Sequence, residues 1–111
     1  MATGPSLGDF EQIVLLAILR LDANAYGVTI RAEITACTSR EPTPGALFTT
    51  LDRLEEKGLV TSRLGDPTPQ RGGRAKRYVT VTAKGIEAVT AAQQAYQRLL
   101  KGLNLRGLAH A

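Results

Sequence analysis

A mainly α fold carrying one small β-hairpin is what this 111-residue sequence predicts, and three observations predict it. Four stretches repeat apolar residues at helical spacing. Two short alternating stretches, on either side of a Gly-, Pro- and Arg-rich segment, read as paired strands. Between them the chain is sharply punctuated: Thr43-Pro44 opens a helix and Gly58 closes it, directly ahead of the first strand.

The first helix covers residues 9–21. Ser6 and Asp9 have capping-box spacing, and Phe10, Ile13, Val14, Ala17, Ile18 and Leu21 mark one face. Leu15, Leu16 and Leu19 make the helix apolar almost all round, which requires burial on more than one side. Residues 22–25 form a turn in which Asn or Asp can cap a second helix over residues 26–38, with Val28, Ile30 and Ile34 as its apolar positions. Arg40 to Pro42 break that helix. The third runs from Pro44 to Lys57, with Leu47, Leu51 and Leu54 facing inward and Leu59 set to meet Leu54 in a Schellman-type ending. Residues 59–64 and 76–82 are the strands, with Val79 and Val81 on one face, and residues 65–75 are the loop between them. A last helix over residues 83–103 carries Ile86, Val89, Gln93, Tyr96, Leu100 and Leu103 at alternating steps of three and four, beside a stripe of Ala88, Ala92, Ala95 and Leu99. Residues 106–111 read as a frayed tail.

Helix, helix, helix, strand, strand, helix is the order of a winged helix-turn-helix. The expected organisation is a winged domain over residues 1–82 (wing 59–82), a dimerisation helix over 83–105 and the tail. Two apolar stripes on one terminal helix exceed what a small domain can cover. Phe10, Val14 and Ile18 with Ile86, Val89, Gln93, Tyr96, Leu100 and Leu103 are therefore the expected dimer interface.

Composition excludes several classes. No apolar run approaches the roughly 20 residues of a membrane span. The first nine residues carry no signal-peptide pattern, so the expected location is cytoplasmic. Cys37 is the sole cysteine, which rules out an intrachain disulfide and a cysteine zinc site, and it reads as a small packing residue within its helix. Ser6, Ser39 and Ser62 have no histidine at a motif spacing, and His110 lies in the tail. No paired carboxylates, phosphate loop or metal cluster appears. Neither catalytic residues, a metal nor a cofactor is expected.

The formal net charge is +4, and its position is informative. Arg63, Arg71, Arg74, Lys76 and Arg77 oppose Asp66 alone within one short segment, while the rest of the chain is neutral. Such concentration suits a polyanion. Gly72 and Gly73 let the hairpin tip approach a surface closely, flanked by Arg71 and Arg74. The outward side of the third helix carries Gly45, Ala46, Thr49, Asp52 and Arg53, flanked by Phe48 and Thr50 and begun by Thr43. Small residues let a helix enter a major groove, threonines can meet phosphates or base edges, and arginine can fork onto guanine. The expected partner is double-stranded DNA. The wing supplies affinity and Thr49, Thr50 and Arg53 supply selectivity. A winged-helix protein-interaction module without sequence-specific DNA binding is the alternative.

Several motifs, in this order and spacing, resemble the PadR family of bacterial transcriptional regulators. They are Leu7-Gly8 with Glu11, Ala25-Tyr26-Gly27, Pro44-Gly45-Ala46-Leu47-Phe48, the run from Leu51 to Val60, Arg71-Gly72-Gly73-Arg74 and Lys76-Arg77-Tyr78. The resemblance covers roughly residues 7 to 90 and is to the short branch with a single C-terminal helix. It implies a homodimeric repressor of an inverted-repeat operator whose binding a small-molecule effector weakens. Phe48 stands where the family usually has Tyr, and Val28 and Val79 replace frequent aromatics. Relatives that sense drugs stack flat ligands on tryptophans, and this chain has none.

Overall fold

In the computed structural model, which describes residues 7–65 and 75–110, three helices pack around one core. They are α1 (Asp9–Leu21), α2 (Gly27–Thr38) and α3 (Pro44–Glu56). A two-stranded antiparallel sheet, β1 (Val60–Leu64) with β2 (Arg77–Val81), closes one side. The long α4 (Ala83–Leu100) and the short α5 (Leu105–Ala109) complete the chain.

Local chemistry accounts for each boundary. Gly8 caps α1, and its backbone N–H donates to the Glu11 carboxylate at 2.8 Å. The helix therefore begins on a Gly8–Glu11 pair rather than on Ser6 and Asp9, and Ser6 lies outside the described residues. Tyr26 is the cap of α2, with its N–H donating to Thr29 Oγ1, so neither Asp22 nor Asn24 caps that helix. Those two residues sit instead in a 3-10 turn, and Asn24 accepts from the Thr29 hydroxyl through its carbonyl. Thr43 Oγ1 accepts from Ala46 N–H with Pro44 at the first helical position, as the residue types require.

The C-terminus of α3 is a complete Schellman motif. Gly58 takes φ 76°, Leu59 N–H donates to Leu54 C=O and Gly58 N–H to Glu55 C=O. Leu54 and Leu59 are both fully buried, so the helix end and the start of the sheet are one packed unit. Thr82 then closes the hairpin: its N–H reaches Leu59 C=O, its hydroxyl donates to Gly58 C=O, and its Oγ1 caps α4. Gly85 is needed here, because a Cβ would lie 2.2 Å from the Leu59 carbonyl oxygen.

The core comprises Val14, Leu15 and Ile18 from α1, Ile30 and Ile34 from α2, Leu47, Leu51 and Leu54 from α3, Val79 and Val81 from β2, and Val89 from α4. Val14, Ile18 and Val89 were expected at a dimer interface, but they are spent inside their own domain. Helical periodicity shows that α1 has two apolar sides without showing which one faces the domain. Phe10 and Gln93 are half-buried, Phe10 against the core and Gln93 bonded to Gln12 at 3.4 Å. Ile86, Tyr96, Leu100 and Leu103 are exposed, as are Leu16 and Leu19 on α1. Cys37 is exposed too, with its thiol donating to Glu33, and is not a packing residue.

Two corrections apply to the last helix. It ends at Leu100, because Lys101 leaves the helical region and Gly102 takes φ 82°. The expected tail also contains α5, capped by Asn104, with Leu105 and Leu108 exposed. The Cα radius of gyration is 16.5 Å, against roughly 13 Å for a chain of this length folded around one core. The second half of α4 and the segment after it, α5 included, are exposed and add nothing to that core.

Candidate nucleic-acid interface

The outward face of α3 is small and polar at its N-terminal end. Thr43, Gly45, Ala46, Thr49 and Arg53 are all exposed, and Arg53 has no ion-pair partner among the described residues. Thr50 is not part of this face. It is buried, and its hydroxyl donates to the Ala46 carbonyl at 3.0 Å, so it faces the interior beside Leu47 and Leu54. A residue three positions from an inward leucine shares the leucine's side of the helix, and threonine's short hydroxyl satisfies itself on the preceding turn.

The hairpin is fastened beside this face by Arg77. One guanidinium nitrogen reaches Asp52 at 3.1 Å and another reaches Glu55 at 2.8 Å. Ser62 also donates to Glu55, from the opposite strand. Arg77, followed by Ser62, holds the Glu55 carboxyl below the ordinary carboxylate range. Partial burial works against the Arg77 cation, but the two carboxylates outweigh it and raise its pKa. Arg77 was expected among the residues open to a polyanion, yet its charge is already engaged. Sequence reading missed this clamp because its partners are 25 and 22 residues distant.

The remaining described cations of the hairpin lie on aromatic platforms. Arg63 is stacked 4.8 Å from the Tyr78 ring centroid, its direct cross-strand partner. Lys76 Nζ lies 4.5 Å from the Tyr26 centroid, and the two tyrosine rings meet edge to face at 5.5 Å. Both cations are exposed at the same time as they are positioned. The register of the hairpin, which a long loop leaves open in the sequence, is what places Arg63 opposite Tyr78. Arg71, Gly72, Gly73 and Arg74 lie outside the described residues.

A cleft of about 450 Å³ separates the start of α2, the start of α3 and β2. Phe48 lines it, and its side chain is half exposed. No helix among the described residues is long and apolar enough to cross a membrane.

The third helix is also braced from below. The almost fully buried Glu11 carboxylate accepts from Lys57 Nζ at 2.9 and 2.8 Å, joining α1 to the end of α3. Burial alone would raise the Glu11 pKa, but the Lys57 ammonium and the Gly8 N–H outweigh it and hold the carboxyl below its ordinary value. Because the folded-state pKa is depressed, the unfolded chain takes up the proton first. The stabilisation is complete above the ordinary carboxylate pKa and fades as pH falls through the depressed one. Glu11→Gln is expected to cost about 1–3 kcal/mol at pH 7 and to flatten the acid limb of stability. Urea midpoints at neutral and acidic pH measure both effects, and parallel acid limbs for variant and parent would contradict this role.

A helix with an open polar face, flanked by a cationic hairpin that an ion-pair clamp holds in place, defines the winged helix-turn-helix class of DNA-binding regulators. Residues 15–91 match the Transcriptional regulator PadR-like family, and the chain belongs to that family. It is a transcription regulator and not an enzyme. Among similar solved structures is a transcriptional regulator from Clostridium thermocellum, at 22% identity and a TM-score of 0.68 over 82% of this chain and 85% of that one. A PadR family transcription regulator from Clostridium difficile R20291 shares 24% identity at a TM-score of 0.65, over 83% and 92%. The complex structure of hsRosR-S4 shares 23% at 0.67, over 94% and 83%. No curated protein matches the chain.

Proposed function

We propose that the protein is a homodimeric repressor that reads an inverted-repeat operator with α3 and grips the flanking phosphates with the hairpin. The observation that carries this reading is the arrangement of charge around α3. Two of its carboxylates, Asp52 and Glu55, are occupied by Arg77, while Arg53 on α3 and Arg63 and Lys76 on the adjoining hairpin remain exposed. A surface built to meet a polyanion needs its acids neutralised and its bases open. Thr49 and Arg53 then take the base-reading roles, and Arg63 and Lys76 the phosphate contacts. Arg71 and Arg74 are assigned to the phosphates on sequence grounds. In the dimer, two copies of α3 would lie about 34–36 Å apart and enter successive major grooves.

A gel shift on duplexes selected from a random pool tests this reading. Affinity is expected to fall steeply with salt. Lys76→Ala is expected to weaken all duplexes alike, whereas Arg53→Ala should cost about 1–3 kcal/mol and relax the preference at one base pair per half-site. A protein that enriches no sequence and shifts no DNA at low salt would instead be a protein-interaction module. The dimer is supported by the exposed apolar row on the second half of α4, where Leu99 is 75% exposed beside Tyr96 and Leu100.

A further inference from the structure

Val28 and Phe48 are 65% and 48% exposed, although both line the cleft between α2, α3 and the returning strand. Neither side chain has a hydrogen-bonding atom, so neither can serve a phosphate oxygen. Adjoining apolar side chains left open on a face otherwise rich in cations mark a contact surface. The floor of the cleft is equally apolar, formed by Leu47 and Leu51 beside Pro44. At its rim stand Lys76 and Arg31, neither of which has a carboxylate partner among the described residues. Arg31 is anchored through Nε to the Pro42 carbonyl at 2.9 Å, which leaves its terminal nitrogens for an anion.

An apolar patch rimmed by cations complements one feature of duplex DNA. In the major groove the C5 methyl of thymine is the apolar group on the base edges, and it lies close to the phosphates of its own strand. We propose that Phe48 and Val28 receive a thymine methyl at one position of each half-site, with Lys76 and Arg31 on the neighbouring phosphates. Phe48 sits one helical step from the inward Leu47, on the side of α3 that faces the hairpin, where the edge of a groove would pass. The contact makes thymine distinguishable from cytosine and uracil without any hydrogen bond. This inference rests on the DNA-binding reading above.

Replacing thymine by deoxyuridine removes the methyl and nothing else, and so isolates the contact. Each thymine of a duplex selected from a random pool is replaced singly, and affinity is measured for the parent, Phe48→Ala and Val28→Ser. One thymine per half-site is expected to cost the parent about fourfold on losing its methyl, the scale of one buried methyl group. In Phe48→Ala that ratio should fall to near one, and in Val28→Ser it should shrink. Both side chains are exposed, so the variants keep the core, and Val28→Ser stands as the second witness. A selected duplex whose thymines are all replaceable without loss overturns this inference alone, as does an undiminished penalty in both variants. A pool that yields no selected duplex overturns the DNA reading and this inference with it.

Discussion

Leu99→Glu together with Leu100→Glu is expected to convert the protein to a monomer near 11.9 kDa by light scattering and to abolish operator binding at ordinary concentrations. Leu99 is 75% exposed and Leu100 is exposed beside it, so neither belongs to the domain core. Glutamates there leave the winged domain's packing untouched, but they would have to be desolvated in any helix-to-helix contact, at a cost no exposed position would incur. A monomer has one recognition helix instead of two. Losing the second engagement removes the effective-concentration advantage, about 10²- to 10⁴-fold in affinity. Far-ultraviolet circular dichroism should show the helix content retained. A variant that remains dimeric would place the interface elsewhere, with the exposed Leu16 and Leu19 on α1 as the next surface to alter.

The fold was legible where the chain carries local punctuation. Thr43, Pro44 and Gly58 each act within four residues, through a missing N–H, a hydroxyl acceptor and a positive φ, so α3 could be bounded from sequence alone. Periodicity was a weaker guide. It carried α4 on to Leu103 although Lys101-Gly102 is a stop signal, because the apolar spacing continues past the break. It also could not divide the apolar sides of α1 between the domain's own core, which takes Val14 and Ile18, and the surface, which keeps Leu16 and Leu19.

The candidate site was legible as composition and only partly as geometry. Counting charges located the basic segment but treated its members as equivalent. In the structure Arg77 is tied to α3, and Arg63 and Lys76 rest on tyrosines. Such distinctions depend on which residues the hairpin register brings opposite one another, and on contacts that span more than twenty positions. Thr50 shows the same limit on a smaller scale, since a threonine next to an outward Thr49 turns inward within a single helical step.

Arg77→Met is expected to lower operator affinity about ten- to hundredfold at low salt, although by this reading Arg77 contacts no DNA. Its loss would leave Asp52 and Glu55 uncompensated on the face of α3 that meets phosphates, while β2 stays paired with β1 and anchored in the core through Val79 and Val81. The two accounts of Arg77, clamp and phosphate contact, separate on rescue. If Arg77 acts by neutralising the carboxylates, adding Asp52→Asn and Glu55→Gln to Arg77→Met should recover most of the affinity, because the repulsion is removed along with its counter-charge. If it donates to a phosphate, the triple variant should stay as weak as the single one. The salt dependence separates them as well. A lost phosphate contact lowers the slope of log affinity against log salt by about one, whereas lost compensation leaves the number of contacted phosphates unchanged. Recovery in the triple variant, with the parent's salt slope, is the expected result. Its absence would move Arg77 from the scaffold of the interface into the interface itself.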